Sequence, residues 1–503
     1  MNRLFYIGNK LIKIIFYIFI FLTLYFALVS NNLLLKANKS TTFTYLILGL
    51  IVALIILYNY FLNIKKFFHF IFVEHKYITS IICFILSIIA QVIYVINFHP
   101  AVGFDAGAIH DAVLNPHNEE LRGYFSLNSN NLPILLLEEN LSKLFRNNSW
   151  FFYSVISIFF VDISALLNIW IIYLLNAKLT AVIIYIESIW LFSYPMAIIA
   201  YTDNWVLPLI SLYVLLIVYS WKFRKNNFLM FFFAFLAGVC SILAYFLKPS
   251  GIIPMLGIII YLLFSFLNNF SKSSLRKRIV TLLCLIVGMG MTLEIGNNLL
   301  RHQTYIPITW ERKIPAIHFI QIGMTGNGGY NSATDNIIMG RLYTKKEKTD
   351  YSVKRIKKIL QKKKLSYINF LVWKHGNNTS DGTFGWLGEG QFFKIKKKNN
   401  FKNIYQEFLF KSGKELNNFR YMVQLIWIIF LVFLAFSWKE NFIWMQVFRL
   451  GMIGAFVFLL IFEGGRSRYL IQFLPILFLL TTLGFNSSIQ TFKNMFTWKP
   501  LKK

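Results

Sequence analysis

The chain is 503 residues long, 57% hydrophobic and only 14% charged, with 53 Phe and a mean hydropathy of +0.57. A soluble core of this length cannot cover so much apolar surface, because interiors split into domains well before they bury that share of a chain. The balance of 51 Lys and Arg against 21 Asp and Glu gives +30, which in a soluble protein would point to nucleic acid. Here the hydropathy takes precedence, and no nucleic-acid partner is expected.

An all-α polytopic membrane protein is predicted, with about twelve transmembrane helices at roughly 20 apolar residues per crossing. The segments fall near 11–30, 44–62, 77–97, 150–173, 180–201, 205–221, 228–247, 250–269, 279–297, 422–438, 441–462 and 469–487. The first is flanked by Arg3, Lys10 and Lys13, is as long as a full crossing and has no small-residue cleavage site. It therefore reads as a retained helix rather than a signal peptide. Cys83, Cys240 and Cys284 all lie in apolar stretches, so neither a disulfide framework nor a zinc spacing is present; the sequence requires no cofactor, and a divalent metal is left as the open alternative.

Lys65, Lys66 and Lys76, then Lys222, Arg224 and Lys225, then Lys272, Arg276, Lys277 and Arg278, and finally Lys493, Lys499, Lys502 and Lys503 fall on one side if the segments alternate. The positive-inside rule makes that side cytoplasmic. The chain then divides into N-terminal helices (1–97), a first outer loop (98–149), central helices (150–297), a long outer loop (298–421) and C-terminal helices with a tail (422–503). Residues 98–149 carry six acids and three bases, whereas 298–421 carry 23 Lys and Arg against 8 Asp and Glu, a net of +15. In the long loop Val353, Ile356, Leu360, Tyr367 and Leu371 recur at roughly helical spacing among lysines. Two readings fit: a basic amphipathic helix on anionic lipid headgroups, or a solvated basic tract.

Asp105 stands just past the third segment in Val102-Gly103-Phe104-Asp105-Ala106-Gly107. An acid held by a glycine-flanked turn at the mouth of a bundle suits a general base, and it equally suits an ordinary helix cap. Asp111, His110 and His117 follow, at spacings that match no compact metal-ligand set. Asp203, in Tyr201-Thr202-Asp203-Asn204, occupies a short outer turn on the same side as Asp105. Lys248, in Leu247-Lys248-Pro249-Ser250-Gly251, and Arg466 and Arg468, in Glu463-Gly464-Gly465-Arg466-Ser467-Arg468-Tyr469, lie in two further outer turns. Each of these cations suits a phosphate or a lipid headgroup, and the Arg forks favour phosphate. Asp162 and Glu187 fall inside predicted spans, where an ionisable group is either functional or an interhelical hydrogen-bonding link; Glu294 lies near an outer helix end.

An early Asp in a large first loop, followed by Gly123-Tyr124-Phe125 and Asn130-Asn131-Leu132-Pro133, resembles the polyprenyl-phosphate-sugar-dependent glycosyltransferases of the GT-C fold. More narrowly the chain is similar to Gram-positive membrane proteins related to protein O-mannosyltransferases and aminoarabinose transferases. Tyr201-Thr202-Asp203, Leu247 to Gly251, His318 through Gly323-Met324 to Gly329-Tyr330-Asn331, Trp373 to Phe384 with Asp381-Gly382-Thr383, and Arg466 to Tyr469 extend the likeness over about 98–487.

The resemblance implies a transferase on the outer face that moves a sugar from a polyprenyl phosphate to a hydroxyl of a cell-wall polymer, lipid or protein. Asp105 would deprotonate the acceptor and Asp203 would be the second acid. Lys248, Arg466 and Arg468 would meet the departing phosphate, with Asp111, His318 and Tyr330 as further substrate-binding candidates. In the eukaryotic-type mannosyltransferases Glu follows the first-loop Asp, whereas Ala106 follows it here, so neither mannose nor an acceptor class carries over. Two extra spans also precede Asp105. The rival expectations are a lipid-linked saccharide flippase and a polysaccharide polymerase or ligase.

Overall fold

A computed structural model describes residues 3–33, 42–266, 272–331, 337–363, 365–386, 404–410 and 413–496. These form helices and turns only, with no strand among the described residues. In chain order the helices are α1 (Arg3–Leu28), α2 (Thr42–Tyr60), α3 (Leu62–His69), α4 (Lys76–Asn97), α5 (Asp105–Leu114), α6 (Glu119–Leu127), α7 (Leu132–Phe145), α8 (Trp150–Asn176), α9 (Thr180–Ser193), α10 (Thr202–Trp205) and α11 (Leu207–Lys222). They continue with α12 (Asn227–Leu247), α13 (Ile253–Ser265), α14 (Lys272–His302), α15 (Ala316–Gly323), α16 (Ile337–Arg341), α17 (Lys345–Lys363), α18 (Ser366–Thr379), α19 (Ile404–Leu409), α20 (Leu416–Phe436), α21 (Ile443–Ile461) and α22 (Leu474–Phe496).

Among the described residues nine helices are long and apolar enough to cross a membrane, or ten if a bent pair counts as one. The expected twelve is not reached, for three local reasons. The second segment breaks at Phe61 and turns by 102° between Leu48–Tyr60 and Leu62–Glu74. The eighth is confined to Pro249–Ser265, too short for the roughly 20 residues a crossing needs. The fourth and fifth run together as Trp150–Ser193, although α8 and α9 also pack against each other.

The enclosed helices tell where the core sits. Thr202–Lys222 and Ser467–Met495 are 72% and 83% buried, whereas Ser273–His302 is only 11% buried and presents Ile279, Leu283, Ile286 and Val287 outward. Such a contiguous apolar exterior is what lipid covers. Sequence punctuation sets the helix starts: Asn118, Ser149 and Asn226 accept backbone N–H bonds at the beginnings of α6, α8 and α12. Proline opens α7, α11 and α13, where its missing N–H costs nothing. These starts fix the ends of the bundle, and the candidate site lies at the end where α4 finishes and α5 begins.

Candidate functional site

Asp105 is the first residue of α5. Its turn is tight because Gly107 sits against Val102: a Cβ there would come within 2.2 Å of the Val102 carbonyl. The carboxylate is partly exposed and held from two sides. The Tyr124 hydroxyl, from α6, donates to Oδ1 at 2.7 Å, and the Tyr201 hydroxyl, just before α10, donates to Oδ2 at 2.9 Å. Asn131 in turn donates to the Tyr124 oxygen at 2.6 Å. Burial pushes both phenols well above their usual range, and the charge on Asp105 adds to it, so both stay protonated as donors. Each carboxylate oxygen keeps a second lone pair for another proton.

Asp203, on α10, is buried at 2% exposure. Lys248 Nζ binds its Oδ1, and Arg468 Nε lies 3.4 Å from its Oδ2. The turn carrying Asp203 is fixed by Asn204, which donates to the carbonyls of Met196 and Ile199 and accepts from the Tyr194 hydroxyl. One acid and two cations leave this buried triad with a surplus positive charge. Burial pulls the Lys248 ammonium below its usual range while Asp203 opposes the shift.

Arg468 joins the two acids. Its guanidinium carbon lies 5.1 Å from the Phe104 ring centre, 5.4 Å from that of Tyr201 and 5.3 Å from that of Tyr469. The cation thus reaches Asp203 on one side and packs on the residues flanking Asp105 on the other. Glu463 completes the pocket. It accepts from the Tyr469 hydroxyl at 2.6 Å, and burial raises its carboxyl, with Tyr469, Arg468 and Arg466 acting against the shift and Asp105 adding to it.

The Arg466–Arg468 turn is locked to the long loop. Gly464 N–H donates to the Gly328 carbonyl at 2.8 Å, Gly465 N–H donates to the Asn378 side chain at 2.5 Å, and Arg466 donates to the Tyr330 carbonyl at 3.4 Å. Gly465 has φ +76°, and a Cβ there would lie 2.3 Å from the Asn327 carbonyl, so only glycine fits. Lys374, fully buried on α18, donates to the carbonyls of Gly323 at 2.7 Å, Leu460 at 3.0 Å and Phe462 at 2.6 Å. One ammonium therefore ties together three segments that carry or adjoin the arginine turn.

Of the residues expected from sequence, Asp105, Asp203, Lys248 and Arg468 converge, with Arg466 and the Tyr330 backbone beside them. Asp111 does not join them: its side chain is 68% exposed and its neighbour is His110 at 3.8 Å. His110 donates through Nε2 to the Asn148 carbonyl and stacks on Trp150, and burial pulls its imidazole below the usual range. His318 packs against α17 instead, with Ser352 Oγ 3.5 Å from its Nδ1, and burial pulls it down to about 4. Asp381 caps its own turn, accepting from Asn32, the Thr383 amide and the Thr383 hydroxyl, while its N–H donates to Ser467. Glu294 is exposed on α14. No group of three or more His, Cys, Asp or Glu able to hold a metal occurs among the described residues.

Two features lie beside this centre. A cavity of about 290 Å³ between α9, α20 and α22 is walled by Trp190, Phe384, Trp427, Phe430 and Phe478 and reaches Gly382, next to the Asp381 turn. Deeper in the bundle, Asn168 donates to Glu187 Oε1 at 2.8 Å and accepts from Ser211 at 2.9 Å. Among the described residues, the second Glu187 oxygen and Asp162 Oδ1 have no hydrogen-bond partner.

Residues 4–489 match the profile of a family described as conserved hypothetical integral membrane protein. The chain belongs to that family. Membership agrees with the apolar helices and makes the protein a multi-pass membrane protein. No curated protein and no solved structure matches the chain.

The roles of Tyr124, Tyr201, Glu463 and Lys374 were not assigned from sequence. All four sit within motifs singled out in the sequence, but a tyrosine reads as packing until its hydroxyl is seen on a carboxylate. Lys374 carries a faint signal, as a lone cation four residues before Asn378 on one helix face, with both residues buried.

Proposed function

We propose that the protein is a membrane glycosyltransferase that moves a sugar from a polyprenyl phosphate to a hydroxyl acceptor at the outer face of a bacterial cytoplasmic membrane. The observation that carries this reading is the pairing of a hydrogen-bonded carboxylate, Asp105, with a net-cationic triad, Lys248–Asp203–Arg468, joined to it through the Arg468 guanidinium. Such a site couples a base to a phosphate-stabilising charge through the Phe104 and Tyr201 rings that both adjoin. The neighbouring aromatic cavity suits the apolar chain of the donor.

In the proposed step the acceptor hydroxyl gives its proton to Asp105 as its oxygen bonds to the anomeric carbon. The bond from that carbon to the phosphate oxygen breaks, and its electron pair leaves on the lipid phosphate, with inversion at the sugar. Arg466 and the surplus charge of the triad stabilise the phosphate as it departs, which is where preorganised electrostatics contributes most. Tyr124 and Tyr201 hold the base in place without competing for its remaining lone pairs.

A second reading, a flippase for a lipid-linked saccharide, draws on Asp162, Asn168 and Glu187 inside the spans. Both are tested with purified protein in liposomes, given polyprenyl-phosphate sugars and hydroxyl acceptors. Asp105→Asn is expected to lower release of polyprenyl phosphate by about 10²–10⁴-fold, the usual contribution of a general base, while membrane insertion is kept. Full transfer by that variant would sink the assignment. A flippase releases no polyprenyl phosphate in this assay, and a polymerase extends a saccharide already on pyrophosphate.

A further inference from the structure

From Tyr351 through Ser380 the chain has eight Lys and Arg and no acid. Lys354, Arg355, Lys357, Lys358 and Lys362 are exposed on α17. The helix docks instead through polar groups: Lys348 binds the Arg312 carbonyl and Ser352 lies beside His318. Its apolar side is only partly taken into the protein: Val353, Ile356 and Ile359 are half-buried and Leu360 is exposed. The stripe continues past the end of α17. Leu365 is 82% exposed and Ile368 58%, followed by Val372 and Trp373, at steps of three, four and one that keep them along one face of α18. Apolar side chains left bare beside a cluster of cations need an environment that is apolar below and anionic above.

The depth of α18 supplies that environment. His375 accepts or donates at Thr23 Oγ1, 2.9 Å away, and meets the Phe19 carbonyl at 3.2 Å, while Gly376 lies against the Phe26 ring. Thr23 is five residues before the end of α1, which at 1.5 Å per residue places this crossing about 7 Å inside the helix end. Interfacial helices bury their apolar face roughly 5–10 Å into the headgroup and acyl boundary, the same level. Phe21, Tyr25 and Leu28 of α1 are exposed nearby, as expected of a lipid-facing side.

We infer that the exposed face of α17 and α18 is a docking surface for anionic lipid headgroups, with Leu365, Ile368, Val372 and Trp373 in the acyl boundary and the α17 cations on the lipid phosphates. The surface adjoins the candidate site through one residue. Trp373 precedes Lys374, whose three carbonyl bonds hold the segments around Glu463 to Arg468. Anionic lipid thereby steadies the arginine turn, and a neutral bilayer leaves it less constrained.

The inference is tested without any transfer assay. The full chain, with Cys83, Cys240 and Cys284 replaced by Ala, takes a nitroxide at Leu365→Cys, Ile368→Cys or, as an aqueous reference, Asn118→Cys, in nanodiscs of phosphatidylcholine with or without phosphatidylglycerol. Accessibility to oxygen and to a water-soluble nickel complex reads the depth of each label. With phosphatidylglycerol, labels at 365 and 368 are expected to be reached by oxygen and shielded from nickel, and the label at 118 is not. Lys354→Gln, Lys357→Gln and Lys358→Gln together weaken that shielding, by roughly fivefold in the insertion equilibrium for each cation removed. Nickel accessibility at 365 and 368 equal to that at 118 overturns the inference. So does shielding that ignores both phosphatidylglycerol and the three substitutions, or shielding that arises only when an anionic polysaccharide is added.

Discussion

Asp203 carries one negative charge against two cations, all three side chains nearly sealed from water. Burying charges is expensive, and the cost is recovered only while the partners stay together; removing one partner of such a pair costs about 3–5 kcal/mol, more than the intact pair is worth. Asp203→Asn is therefore expected to lower the thermal unfolding temperature in detergent sharply, because Lys248 and Arg468 are left as two buried cations with no acid between them. The double variant Asp203→Asn with Lys248→Met should recover part of that loss, since one of the two unpaired cations is gone. Transfer activity separates stability from chemistry: the double variant folds but lacks the second acid and one cation, and it is expected to stay impaired. A double variant as unstable as the sum of its two single changes would show that the pair is not coupled.

Lys374 illustrates how one side chain governs several elements. It is buried on α18 and holds carbonyls from the end of α15 and the end of α21. Burial pulls it down to about 7, with Glu463 opposing, whereas the model-peptide value is 10.5. The unfolded chain therefore binds more protons than the folded one between about 7 and 10.5, and stability rises with pH across that window. Below about 7 both states carry the proton and the contribution is flat at its least favourable. Thermal unfolding followed from pH 6 to 10 should show the rise, and Lys374→Met should remove it while lowering stability, because three carbonyls lose their donor. The elements themselves were mostly legible in the sequence: apolar runs alone gave α4, α8, α11 and α12 to within a few residues. What escaped were the 102° bend at Phe61 and the cross-links of Lys374 and Gly465, the latter two depending on chain segments more than 50 residues apart. In the site Asp105, Asp203, Lys248, Arg466 and Arg468 were found by type and position and Glu463 was not, whereas His318 and Asp111 were drawn in by order along the chain and lie elsewhere because their helices face other partners.

Over the molecule as a whole, two polar clusters among the described residues imply different kinds of work. One is at the end of the bundle, where Asp105, Glu463 and the Asp203 triad gather under a basic loop. The other is in the interior, where Asp162 and Glu187 make no ion pair among the described residues and Glu187 is linked through Asn168 to Ser211. A transferase needs only the first, since its donor phosphate and acceptor meet at the membrane surface. A transporter needs the second, because a polar headgroup crossing the bilayer requires polar contacts on the way. Glu187→Gln preserves shape and can still receive the Asn168 bond, and Asp162→Asn likewise removes only the ionisable oxygen. Under the transferase reading, the two changes together should leave polyprenyl-phosphate release within about threefold of the parent, below the 1 kcal/mol scale of one neutral hydrogen bond. The measurement pairs that assay with a liposome assay of lipid-linked saccharide movement. Loss of movement with transfer absent in the parent would assign the work to the interior and leave Asp105 as a structural acid. Unchanged release in the interior variant, alongside loss in Asp105→Asn, places the chemistry at the end of the bundle and reduces the interior cluster to a link between α8, α9 and α11.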